Sequence, residues 1–185
     1  MRCNGLGIAM RVLGFAVACF SGTAFADWQG TVWNSAPAQA DKDFRVPHRA
    51  ATSAEHQNYF NRALLAFDNY EVGDLTFSGV LLFDDGKLRG ISMKLKQPWQ
   101  CDKLISVLEA RYGKPAKDKS VGEQPYPKRY VTWYDQKERN EVDVNYSKYP
   151  PDTDDDCYLQ YEPFIVPSPG QLYNRCRYWA AILSP

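Results

Sequence analysis

Two histidines, five cysteines, a short run of aspartates and a set of tyrosines at every-second spacing hold the chemical options of this 185-residue chain. His48 and His56 are its only imidazoles. A nucleophilic site needs a serine, threonine or cysteine beside a base that a third group orients. Neither histidine stands in such a context, and His56 falls one turn into a predicted helix. Asp152, Asp154, Asp155 and Asp156 form the densest acidic cluster, and Asp152-x-Asp154-x-Asp156 imitates the opening of a calcium loop, in which alternate oxygens surround a hard cation. The imitation stops at the sixth position, where the expected glycine is Cys157, and at the twelfth, where Pro163 replaces a bidentate glutamate. A solvated connection is the expectation there. Paired carboxylates hydrolyse glycosidic bonds, but nothing singles out one pair among 22 acidic residues. The sequence therefore predicts no catalytic residue, no metal ligand and no cofactor.

The cysteines point to a staple. Cys3 and Cys19 lie in the N-terminal leader described below, which leaves Cys101, Cys157 and Cys176. One disulfide and one spare thiol is the simplest arithmetic for a chain outside the cytoplasm, and the spacings match no zinc pattern. Cys101 and Cys157 are the expected pair, because both fall on inward stripes of elements that must share a core. If the elements simply alternate direction, Cys157 with Cys176 becomes the better pair.

The tyrosines gain meaning from strand alternation. Val131 and Trp133, then Val142, Val144 and Tyr146, then Cys157, Leu159 and Tyr161 read as the inward sets of three strands. Alternation sends Tyr130, Thr132, Tyr134, Asp143, Asn145, Tyr158, Gln160 and Glu162 outward. Tyrosines among amides and acids resemble a recognition surface, since the ring gives area at little entropic cost and the hydroxyl hydrogen-bonds. Tyr130, Tyr134 and Tyr158 are the candidate binding residues. The competing reading is that cross-strand tyrosines only stabilise the sheet, or lie under the C-terminal tail.

Elements that position these residues follow from local signals. Pro37 sits in the first turn of a brief helix, with Ser35 as its cap, that runs to about Phe44. Thr52-Ser53-Ala54-Glu55 is a capping box, and the spacing of Phe60, Ala63, Leu64 and Phe67 predicts a helix from there to about Phe67. Leu75, Phe77, Leu81 and Phe83 alternate up to Asp84-Asp85-Gly86, and Ile91, Met93 and Leu95 alternate on the return. A two-residue loop would put the returning set on the wrong face. A three-residue loop with Gly86 left-handed, pairing Phe77 with Met93 and Leu75 with Leu95, reconciles pattern and turn. A helix should start near Pro98, carry Cys101, Leu104, Ile105, Leu108 and Tyr112 on one stripe, and stop at Gly113. Lys114 to Lys128 reads as a long loop. Strands are expected at 129–135, 141–147 and 157–162. A closing helix is expected at 172–183.

At the N-terminus, Arg2 and Arg11 precede the apolar run Val12 to Phe20, and Ala24-Phe25-Ala26 is a small-x-small cleavage site before Asp27. Residues 1–26 thus read as a cleavable signal and residues 27–185 as one periplasmic or secreted domain without a membrane span, the apolar run being shorter than the roughly 20 residues a span needs. Lipidation at Cys19 is the competing reading. Removing the leader's two arginines leaves 20 basic residues against 22 acidic, so no clustered basic surface exists to release counterions from nucleic acid.

Segregated antiparallel strands with helices packed on one face make an α+β class, here a hairpin and a three-stranded segment, with a helix followed by strands occurring twice as in a duplicated unit. That order resembles proteins of the β-lactamase-inhibitor type, whose tandem helix-plus-sheet units bind other proteins. The resemblance lies in element order and implies no site residue. The expectation is a non-enzymatic exported protein that binds another envelope or extracytoplasmic protein, or else a structural or assembly accessory of the envelope.

Overall fold

The computed structural model describes residues 27–122, 127–149 and 155–164. Eight strands form a single antiparallel sheet in the order β3 (His48–Ala50), β4 (Ala63–Val72), β5 (Leu75–Asp84), β6 (Lys87–Leu95), β10 (Asp156–Pro163), β9 (Asn140–Ser147), β8 (Lys128–Asp135), β7 (Lys117–Val121). The fold is thus mostly sheet, and the expected hairpin and three-stranded segment are parts of one continuous surface. Two meanders, β3 to β6 and β7 to β10, meet at their last strands, where Leu159 pairs with Met93 and Tyr161 with Ile91. A two-stranded ribbon, β1 (Asp27–Trp28) with β2 (Thr31–Val32), and three short helices complete the described residues.

The core lies on one face of the sheet. Val131, Trp133, Val142, Val144, Cys157, Leu159 and Tyr161 are all buried there, as strand alternation predicts. Trp28 of the ribbon packs on Phe67 and Tyr161, Phe44 at the C-cap of α1 (Pro37–Asp43) packs on Trp28 and Phe67, and Trp33 is buried in the same core. The Trp133 indole donates to the Gly113 carbonyl at 2.9 Å and the Trp33 indole to Asn140 Oδ1 at 2.8 Å, so neither buried N–H is left unsatisfied. α3 (Cys101–Tyr112) follows a 3-10 turn at Pro98–Gln100, buries Cys101, Leu104, Ile105 and Leu108, and ends at Gly113 with φ 79°. Cys101 and Cys157 bring their sulfurs to disulfide distance, 2.02 Å. The geometry that favoured a Cys157 to Cys176 pair does not arise, because the first turn of α3 lies over the start of β10.

Four local expectations are corrected. The capping box at Thr52 and Glu55 forms, yet α2 (Ser53–Asn58) is short, and Ala63–Val72 is a strand. Phe60 and Asn61, both left-handed at φ 53° and 61°, end the helix, and two β-bulges in β4 let a strand imitate helical spacing. Ser35 does not cap α1, whose N-cap is Ala36 with no side-chain bond. The hairpin uses a two-residue loop, Asp85 at φ 48° and Gly86 at φ 67°, the signature of a primed turn. Its parity conflict is removed by a bulge at Arg89, so that Phe83 pairs with Leu88, Leu81 with Ile91 and Phe77 with Leu95 rather than Met93. The supposed loop after Lys114 contains β7, a fully exposed edge strand whose charged residues carry no apolar alternation and discourage further pairing. Nor do the helices share one face, since α2 lies on the side of the sheet opposite the core cluster.

The leader at 1–26, Asp152, Asp154, Cys176 and the expected helix at 172–183 lie outside the described residues. Among the described residues no helix is long and apolar enough to cross a membrane.

Candidate functional site

The outward face is assembled in rows, because residues paired across an antiparallel sheet share a side. One row runs Lys119, Tyr130, Asn145, Tyr158, Lys94, Ser78. The next runs Lys117, Thr132, Asp143, Gln160, Ser92, Val80. A third joins Tyr134, Glu141 and Glu162. Three strands of sequence alternation thus extend across the sheet into one continuous polar surface.

The three candidate tyrosines all lie on it but not in one cluster. Tyr130 and Tyr158 flank Asn145 two strands apart, roughly 10 Å at ordinary strand spacing. Tyr134 is four residues along β8 from Tyr130, roughly 13 Å away. Their surroundings differ too. Tyr130 is 42% exposed. Tyr134 stacks on Phe164 at 4.7 Å between ring centres and carries Lys117 Nζ over its ring at 5.8 Å. Tyr158 is half-buried beneath Lys94, whose Nζ lies 5.6 Å from its ring centre. Burial raises the Tyr158 phenol above its ordinary range while Lys94 works against that rise, so the group is a neutral hydrogen-bonding hydroxyl at physiological pH.

Sequence reasoning missed a groove at the other end of this face. It occupies about 630 Å³ between α2 and β10. Its floor is built from the small residues Ser78, Gly79, Val80 and Ser92 of β5 and β6. Gly79 is required there, since a Cβ would lie 2.5 Å from the Phe67 ring that packs across its backbone on the core side. Tyr59 closes the groove on one side, over Ala63, Ala66, Val80 and Leu82, with Ser92 Oγ 3.5 Å from its hydroxyl. The available signal was the interruption of an apolar hairpin by Ser78 and Ser92, whose short side chains leave space beside larger neighbours.

The charges around the groove are paired. Arg49 makes a two-point bond to Glu55, at 2.8 and 2.9 Å, and reaches Asp68 at 3.2 Å. Arg49, together with the backbone of Thr52, holds the Glu55 carboxyl down at about 2. Lys94 meets Asp156 at 2.5 Å. Asp155 accepts the Tyr146 hydroxyl at 3.1 Å and the Tyr149 amide at 3.0 Å, and burial with that carboxylate pushes the Tyr146 phenol up to about 12. The two described aspartates of the acidic cluster are therefore turned to protein partners.

His48 packs its ring against Phe44 and contacts Val46 O at 2.7 Å and Asp41 at 3.1 Å. His56 lies in α2 as expected. Among the described residues no three potential metal ligands gather. No family model, curated protein or solved structure matches this chain.

Proposed function

We propose that the chain is an exported, non-enzymatic binding module that engages another extracytoplasmic protein through the outward face of its sheet. The observation that supports this is the continuous row from Lys119 through Tyr130 and Asn145 to Tyr158, a wide polar surface with tyrosines on the side opposite the core. Export rests on the leader chemistry, and the Cys101 to Cys157 pair fits an oxidising compartment. The order helix then four-stranded meander, met once with α1 and once with α3, favours reading the chain as a duplicated unit. Tyr130, Tyr134 and Tyr158 act as aromatic anchors, Tyr134 with Phe164 beside it.

The test is capture on immobilised mature protein. Tyr134→Ala or Tyr158→Ala weakens retention of the partner at least about tenfold, a loss of roughly 1.4 kcal/mol. Variants that stay folded and retain the partner normally would remove this face as the site. The second reading, an assembly accessory of the envelope, predicts retention of membrane complexes in place of one tight soluble partner.

A further inference from the structure

Asp27 and Trp28 stand directly after the small-x-small site of the leader, and both already belong to the fold. Asp27 pairs with Val32 and Trp28 with Thr31 in a hairpin closed by Gln29 and Gly30, whose left-handed backbone at φ 51° and 90° suits a primed turn. Trp28 is 7% exposed. Its ring meets Tyr70 at 5.4 Å, Phe44 at 5.7 Å, Tyr161 at 5.8 Å and Phe67 at 5.9 Å, so it touches both meanders and the residue that ends α1. Polar bonds hold the turn as well. The buried Thr31 hydroxyl donates to the Trp28 carbonyl at 2.6 Å, the Arg45 amide to the Gln29 carbonyl at 3.1 Å, and the Gln29 carboxamide to the Tyr70 hydroxyl at 2.7 Å.

A peptidase needs the opposite arrangement. Cleavage takes place in exposed backbone that can leave the fold and enter a catalytic cleft. Two extended residues span at most about 7 Å, so the Ala26 Cα lies within that distance of the Trp28 Cα and the junction has no slack. Drawing it into a cleft that also grips the residues after the bond requires the hairpin to open and Trp28 to leave four aromatic rings. The chemistry itself makes no use of the fold: water adds across the Ala26 carbonyl and the Asp27 nitrogen, leaving a carboxylate on the departing leader and an ammonium group on Asp27.

We propose that the N-terminal hairpin is a latch that orders its own processing. The leader is removed only while the hairpin is undocked, and docking of Trp28 then closes the junction to proteolysis. This rests on reading residues 1–26 as a leader. A cut before Cys19, the lipidation alternative, would fall eight residues upstream of Asp27 and escape the latch.

The test uses the full 185-residue precursor, oxidised and refolded in detergent micelles, with purified leader peptidase and mass spectrometry of the products. The same precursor, kept reduced and diluted from urea into the assay, gives the unlatched rate. When opening and reclosing outpace cleavage, the folded rate follows the open population, so the folded precursor should be cut at least about tenfold more slowly. A Gly-Ser spacer of about eight residues between Asp27 and Trp28 is long enough to reach a cleft at roughly 3.3 Å per residue. It leaves the sequence up to Asp27 intact and should restore the unlatched rate. Phe44→Ala removes a ring from around Trp28 without touching the junction, and should speed cutting of the folded precursor severalfold. Equal rates for the folded and diluted wild type, or a spacer without effect, would overturn the latch. No cut between Ala26 and Asp27 even in the diluted and spaced chains, or a cut before Cys19, would remove the leader reading and the latch with it.

Discussion

The two faces of the sheet are made by the same eight strands and obey opposite rules. On the core face, neighbours in a row are large and apolar: Phe67 over Gly79, then Met93, Leu159, Val144 and Val131, with α3 and the tryptophans above them. On the outward face, the matching rows carry hydroxyls, amides and ion pairs, and only the patch of Ala63, Ala66, Val80 and Leu82 beside Tyr59 repeats the apolar pattern. One residue of shift along any strand exchanges the two sets. What separates them is therefore register, and register is fixed by features that change the residue count: the bulges in β4 and at Arg89.

The sharpest way to break this comparison is to truncate matched aromatics two residues apart plus one. Trp133→Ala removes a side chain 1% exposed together with its bond to Gly113, and should cost about 3 to 5 kcal/mol. Tyr130→Ala, on the opposite face, should stay within about 0.5 kcal/mol. Urea unfolding of both variants measures the contrast. Equal losses would mean that Tyr130 belongs to a core.

Removing the cross-link tests the core face at its only covalent tie among the described residues. Sequence separation of 56 between Cys101 and Cys157 gives a loop whose closure in the unfolded chain corresponds to about 4 kcal/mol. The Cys101→Ala, Cys157→Ala double variant should therefore lose about 3 to 4 kcal/mol, read as a lower urea midpoint with a somewhat steeper slope, because the unfolded chain without the cross-link exposes more surface. Reductant should lower the wild-type midpoint to match and leave the variant unmoved.

Acid probes the outward face. Glu55 titrates at about 2 when folded, well below its ordinary 4.5, because Arg49 and Thr52 favour its ionised form. A depressed carboxyl contributes stability that is complete above 4.5 and is lost as pH falls from there toward 2. Solvent screening of the half-exposed Arg49 limits the effect to about 1 kcal/mol. Comparing wild type with Glu55→Gln from pH 6 to pH 2 should show the gap between them closing across that window.

Phe60→Gly should change stability least, and in the opposite direction. The side chain is 88% exposed and its backbone sits at φ 53°. Left-handed backbone disfavours a residue with a Cβ, and glycine relieves that cost while adding freedom to the unfolded chain. A net gain of about 0.5 kcal/mol is expected, seen as a small rise in Tm.

Much of the core face was legible in the sequence. Val131 with Trp133, Val142 with Val144, and Leu159 with Tyr161 alternate without interruption, and all six are buried. The α3 stripe ending at Gly113 was equally direct, since periodicity and stop signal agree. Legibility failed where residue count changes silently. Phe60, Ala63, Leu64 and Phe67 have helical spacing, but bulges give a strand the same beat. β7 has no buried side to leave a pattern, so Lys117 to Val121 reads as loop until a neighbour pairs with it. The outward face was legible as composition and illegible as shape: Tyr158 could be placed on it, whereas the groove depends on the short side chains of Ser78 and Ser92 lying near one another on two strands.

The position of β10 carries a kinetic consequence. Among the described strands it is the last in sequence and one of the two innermost in space, lying between β6 and β9. Until Asp156–Pro163 emerges, each meander has its future inner edge open, with unpaired backbone along β6 and β9. Joining them closes a long chain segment and raises contact order, which slows folding relative to a sheet paired only between sequence neighbours. A nascent chain paused before this strand therefore holds two sticky half-sheets, and the interval before β10 docks is when the molecule is most exposed to misassembly.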